Sequence, residues 1–203
     1  MAFGLTINGY AAPDTIIRKG GLQPGDALIV TKPIGTGVLF AADMRADARG
    51  DWIADALESM QRSLRPCVEI LRAHKVSAGT DVTGFGLAGH LLEMLEASGV
   101  AAEINLDAIP VLDGAHELSQ QGVESTLRPG NEASAGHAFL ASAHPTRPLL
   151  FDPQTSGGLL FGVPADQADA CLAALRKHAA PAAAIIGTIT TQKEHDLPVT
   201  LTS

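Results

Sequence analysis

Hydrophobic and polar positions alternate along this chain in blocks, and the period changes from block to block. Residues 27–31, ALIVT, are one short apolar run, the pattern of a strand buried on both faces. Lys32-Pro33 ends it, and Gly35 and Gly37 lead into a predicted helix over residues 38–48. Over residues 51–74, Ile53, Leu57, Met60, Leu64, Val68 and Leu71 recur at helical steps, with Pro66 expected to kink the helix or split it in two. A strand follows at 76–82. Leu87, Leu91 and Leu95 then mark an amphipathic helix that Gly99 is placed to stop. Further strands are expected at 101–106, 149–152, 159–163 and 183–189, and helices at 115–121, 132–143 and 166–178. At the N-terminus, Phe3, Leu5 and Ile7 alternate with small or polar residues up to Asn8-Gly9, which reads as a strand joined in mid-course. The tail after Thr190 is polar.

Strands and helices alternate, which favours a sheet with helices packed on it. Strands 149–152 and 159–163 are separated only by Ser156-Gly157-Gly158 and adjacent residues, so a hairpin is expected there. That excludes a purely parallel, doubly wound sheet. The predicted fold class is α+β, a mixed β-sheet flanked by helices. Aromatic residues make up only 4% of the chain, so its core is built from Ala, Val, Leu and Ile.

The net charge of −8 and the lack of any Lys/Arg cluster argue against nucleic-acid or anionic-membrane partners. Nucleotide phosphate stays open, because a divalent cation held by carboxylates can supply the missing charge. Cys67 and Cys171 have neither metal-type spacing nor a disulfide framework around them, so a reducing compartment, the cytoplasm, is expected. No basic segment followed by an apolar run opens the chain, and no apolar stretch reaches membrane-spanning length.

Two stretches carry candidate chemistry. Residues 80–90, TDVTGFGLAGH, place Asp81 at the end of a strand, with Gly84, Gly86 and Gly89 at the start of a helix. Free N–H groups there can face an anion, and Asp81 can bind Mg²⁺, which takes one or two carboxylates plus phosphate oxygens and water. The plainer reading is a helix cap with glycines for close packing, and spacing alone favours it. Residues 152–158, DPQTSGG, read as a backbone nest near phosphate or as a simple hairpin turn; on physics alone the turn is favoured. His90, on an apolar helix face, reads as a hydrogen-bonded core residue. The seven histidines show no zinc-type pairing.

TDVTGFGLAGHLLEM and LLFDPQTSGGLLFGVP resemble the two signature stretches in the C-terminal half of selenophosphate synthetases (selenide, water dikinases). Residues 2–39 resemble the segment that joins the two halves of those enzymes. The resemblance covers most of the chain and weakens over 107–147 and the tail. Aminoimidazole ribonucleotide synthetases share the DVTG-type turn but not the DPQTSGG context. The resemblance implies that residues 1–24 end the N-terminal half and connect it, and that 25–203 form the C-terminal α+β domain, with helices on both sheet faces. It implies selenophosphate formation from selenide, ATP and water, releasing AMP and phosphate, with Mg²⁺ and ATP as cofactors in a homodimer. Asp81 corresponds to one of the family's Mg²⁺-binding aspartates. The family's catalytic Cys or selenocysteine, its nearby Lys and the other metal-binding aspartates belong to the N-terminal half. Cys67, Cys171 and Lys32 do not match them, so this chain alone is expected to be inactive. GVESTLRPGNEAS departs from the family's GGTxxN-like loop and is closer to forms fused to a flavin-type oxidoreductase. Two alternatives stand beside this reading: a paralogous ATP-dependent synthetase of the same superfamily, and a non-enzymatic binding or dimerisation module.

Overall fold

A computed structural model describes Gly4, Thr6 and residues 8–203; the N-terminal strand expected from Phe3, Leu5 and Ile7 lies outside the described residues. Six strands form one mixed sheet: β1 (Ala27–Val30), β2 (Ala78–Asp81), β3 (Ala101–Asn105), β4 (Leu159–Val163), β5 (Ala184–Thr190) and β6 (Val199–Thr202). Their spatial order is β2-β4-β1-β5-β3-β6. Every neighbouring pair is antiparallel except β3 and β6. Among the described residues the seven α-helices are α1 (Thr36–Asp43), α2 (Gly50–Gln61), α3 (Arg65–Ala73), α4 (Gly86–Ser98), α5 (Ala115–Gln120), α6 (Arg128–Ala135) and α7 (Ala165–His178).

The sheet is covered on both faces, and β1 shows why its sequence is uniformly apolar. Leu28 and Val30 face a large core with α1, α4 and α5. Ala27 and Ile29 face a second core with α3 and α7, where Phe161, Cys67, Cys171 and Leu175 pack. Because strand side chains alternate, a strand between two helical layers has no polar side to show. Both cysteines are free and fully buried.

Pro66 does divide the 51–74 pattern, but the break precedes it, at residues 62–64, and Pro66 lies in the first turn of α3. A proline in the first turn sacrifices no internal hydrogen bond. Gly99 ends α4 with a left-handed φ of 67°. The hairpin expected from 149–152 and 159–163 does not form. Pro148–Phe151 is a 3-10 helix, with Pro148 in its first turn. β4 instead pairs with β1 and β2, strands far away in sequence. A short apolar run carries no period, and LLF is buried here as a helical turn rather than as a strand. The helix expected at 132–143 begins and ends earlier, as α6. The polar tail contains β6, a short edge strand whose buried residue is Val199.

Candidate functional site

The two glycine-bearing stretches meet side by side. Asp81, the last residue of β2, stands opposite Leu159, the first residue of β4. Beyond the strands the ladder continues, with Val82 N–H donating to the Gly158 carbonyl at 2.8 Å and Gln154 N–H to the Thr83 carbonyl at 3.0 Å. Glycine is required at this junction. A Cβ on Gly157 would lie 2.1 Å from the Val82 oxygen, and one on Gly158 would lie 2.6 Å from the Lys32 nitrogen. Ser156 takes a left-handed φ of 48°, a conformation that costs a non-glycine residue about 1–2 kcal/mol.

Asp81 is exposed. It borders an open cleft of about 410 Å³ together with Thr83, Ser156, Gly157, Lys32 and Arg62. Among the described residues no ion pair uses the Asp81 carboxylate. Lys32 is only 4% exposed. Its Nζ donates to the Ser156 carbonyl at 2.9 Å and reaches the Met60 carbonyl at 3.5 Å. Burial, and then the neighbouring Arg62 guanidinium, pull its pKa below the usual lysine range.

Asp152 is the opposite case. It is 1% exposed, and its Oδ2 accepts from Val38 N–H at 3.1 Å and Gln154 Nε2 at 3.3 Å. Gln154 Oε1 takes the Gly35 and Thr36 N–H groups at 3.0 and 3.2 Å. Asp152 and Gln154 therefore close the N-terminus of α1 from across the fold, satisfying donors that its own N-cap, Gly35, leaves free. Burial raises the Asp152 pKa to about 7 against the hydrogen bonds that lower it, and Oδ1 has no hydrogen-bond partner. Of the DPQTSGG stretch, the DPQ part is structural, and only the turn around Ser156 faces the cleft.

The start of α4 also departs from the expectation of anion-facing N–H groups. Gly86 N–H donates to the Thr83 carbonyl. Gly86 packs against the backbone of residues 150–152, where a Cβ would meet the Leu150 oxygen at 2.7 Å. Carbonyl oxygens at that end of a helix disfavour an anion. Asn131 secures the same corner, donating from Nδ2 to the Gly84 carbonyl at 2.8 Å and the Phe151 carbonyl at 3.0 Å. His90 is a core residue. Its Nε2 lies 3.2 Å from Thr83 Oγ1, and burial lowers its pKa more than Glu93, 3.5 Å from Nδ1, raises it. That Nδ1 contact lacks hydrogen-bond geometry.

Asp81 and the Ser156 turn lie in local motifs, whereas nothing local marks Arg62 or Asn131, and Gln154 is marked only as part of the 152–158 stretch. Lys32 carries a local signal, as a charge at the end of a wholly buried strand. Among the described residues no group of three metal-type side chains gathers, and Asp81 is the one carboxylate that lines the cleft. That fits Mg²⁺, which is commonly held by one or two carboxylates together with phosphate and water. No helix is long and apolar enough to cross a membrane among the described residues.

Residues 23–200 match the family described as AIR synthase related protein, C-terminal domain. A selenide, water dikinase of Caldanaerobacter subterraneus subsp. tengcongensis is 35% identical over 199 residues, 97% of this chain and 58% of that protein. Another, from Nitratidesulfovibrio vulgaris, is 38% identical over 192 residues, 90% of this chain and 53% of that protein. This chain thus spans little more than half the length of the curated relatives it matches. Among solved structures, hydrogenase maturation protein HypE in complex with ATP superposes with a TM-score of 0.67 at 22% identity, covering 94% of this chain and 51% of that one. A thiamine-monophosphate kinase from Stenotrophomonas maltophilia K279a superposes with a TM-score of 0.60 at 21% identity, over 91% of this chain and 52% of that one.

Proposed function

The chain belongs to the AIR synthase-related C-terminal domain family, and from that premise we propose that it is the C-terminal domain of a selenophosphate synthetase. The whole enzyme makes selenophosphate from selenide, ATP and water, releasing AMP and phosphate. One observation carries the reading: the two stretches that resemble the family signatures are hydrogen-bonded neighbours and leave Asp81 exposed at a shared cleft. The 35% identity to a selenide, water dikinase favours this over a paralogous synthetase, since the kinase and HypE structures share the fold at only about a fifth identity.

In this reading Asp81 supplies one ligand to a Mg²⁺ ion that neutralises ATP phosphates. The Ser156 turn fixes the position of Asp81 through the β2–β4 ladder. Phosphoryl transfer depends mainly on positioning and charge neutralisation, so the remaining ligands and the Cys or Sec nucleophile are assigned to an N-terminal half. Residues 1–24 connect to that half, 25–203 form this domain, and the intact enzyme works as a cytoplasmic homodimer. Purified alone, this chain forms no selenophosphate and no selenide-dependent AMP; detectable AMP formation would refute the division of labour. In the intact enzyme, phosphorus NMR of the products tests the activity itself, and an enzyme that phosphorylates thiamine phosphate instead belongs to the paralogous class.

A further inference from the structure

Lys32 has no role in the reading above, and its environment calls for one. An ammonium carries three donors and no acceptor. Here it is 4% exposed and finds two neutral carbonyls, one of them at the 3.5 Å limit. Among the described residues no carboxylate pairs with it. A buried charge without a counter-charge is costly. Arg62 adds to the cost, because it is a second cation, itself paired on one side with Glu58 at 3.1 Å. Both cations border the Asp81 cleft, which the turn at Ser156 and Gly157 also lines. Both cations also border a second cleft, but that one is lined by Asp55 and Glu58, which would repel an anion.

We propose that Lys32 and Arg62 form an oxyanion site that holds a phosphate group over the turn at Ser156 and Gly157, across the cleft from Asp81. The ligand is a phosphate oxyanion, either the end of a polyphosphate chain or free phosphate. Lys32 is positioned for it by the Ser156 and Met60 carbonyls, and Arg62 adds the planar donor pair suited to phosphate. A metal on Asp81 and an anion on Lys32 would then neutralise each other across the cleft. The choice of phosphate rests on the proposed function; the existence of an anion site does not.

The test is titration of this chain with inorganic phosphate and with pyrophosphate, without metal, followed by the backbone amide resonances of Ser156 and Gly157. Saturable shifts at those amides are expected. Arg62→Gln, a half-exposed position that does not threaten folding, should weaken binding about tenfold, the scale of one charge-assisted contact. Lys32→Met should weaken it further, and if that variant does not fold, Arg62→Gln decides alone. Pyrophosphate binding well above phosphate identifies a polyphosphate end as the ligand, and equal binding identifies free phosphate; both support the site. Asp81→Asn should leave metal-free binding intact or strengthen it. Retained phosphate binding together with an Asp81→Asn enzyme of normal turnover would refute the metal role and keep this site. No saturation by about 20 mM, or unchanged affinity in Arg62→Gln, would overturn it.

Discussion

Asp81 and Asp152 look alike in the sequence: each comes at the end of an expected strand and precedes a glycine-bearing turn. The fold gives them opposite fates. Asp81 ends an edge strand and is exposed at the cleft, while Asp152 ends a buried 3-10 helix and closes α1 from within. The difference lies in what surrounds each carboxylate. Asp152 has Val38, Gln154 and the Gly37 backbone against it, whereas β2 has a neighbouring strand on one side only. A buried carboxylate with a raised pKa is therefore not by itself the mark of a catalytic group. Here the perturbed aspartate is the structural one.

The contrast can be broken by substitution. On the proposed reading, Asp81→Asn in the intact enzyme should reduce ATP turnover about a hundredfold or more, with the melting temperature unchanged. Near-normal turnover would make Asp81 as structural as Asp152. Next in size is Gly157→Ala, which drives a Cβ to 2.1 Å from the Val82 oxygen and should cost about 3 kcal/mol in denaturant unfolding. Gly84→Ala, where a Cβ meets nothing within 4 Å, serves as its control, with a change within about 0.5 kcal/mol.

A third measurement sharpens the Asp152 side. Its folded pKa, about 7, lies above the ordinary 3.8, so the folded state binds the proton more tightly than the unfolded state. That contribution is fully present below about pH 3.8 and is lost as pH rises through about 7. Asp152→Asn removes it. The stability of the wild type relative to this variant should therefore fall by about 2–4 kcal/mol between about pH 4 and pH 7.5, read from urea midpoints. A flat difference would show that the Asp152 carboxyl is not desolvated in the folded state. The smallest expected effect is Asp81→Asn on stability, within about 0.5 kcal/mol.

What could be read from the sequence followed the range of each signal. Local periodicity found α4, α7 and β1, and Gly99 marked its helix end correctly. It failed at 149–152, where three apolar residues have no period and a preceding proline favoured a helical turn. It missed β6, whose partner β3 lies almost a hundred residues away. The site divided in the same way. Asp81 and the Ser156 turn are local motifs, whereas Lys32 reaches the cleft because β1 pairs with β4, which brings it to Ser156, 124 residues further along the chain. The role of Gln154 was hidden for the same reason, since its partners, Gly35 and Thr36, come from another part of the chain.

β1 has one further consequence. Its four residues divide evenly between the two cores, Leu28 and Val30 to one, Ala27 and Ile29 to the other. The cores thus share a wall one backbone thick, at the centre of the sheet. Neither can melt while the other keeps its packing, because losing β1 opens both at once. The domain should therefore behave as a single cooperative unit, and the Asp81 cleft keeps its shape until the whole fold is lost.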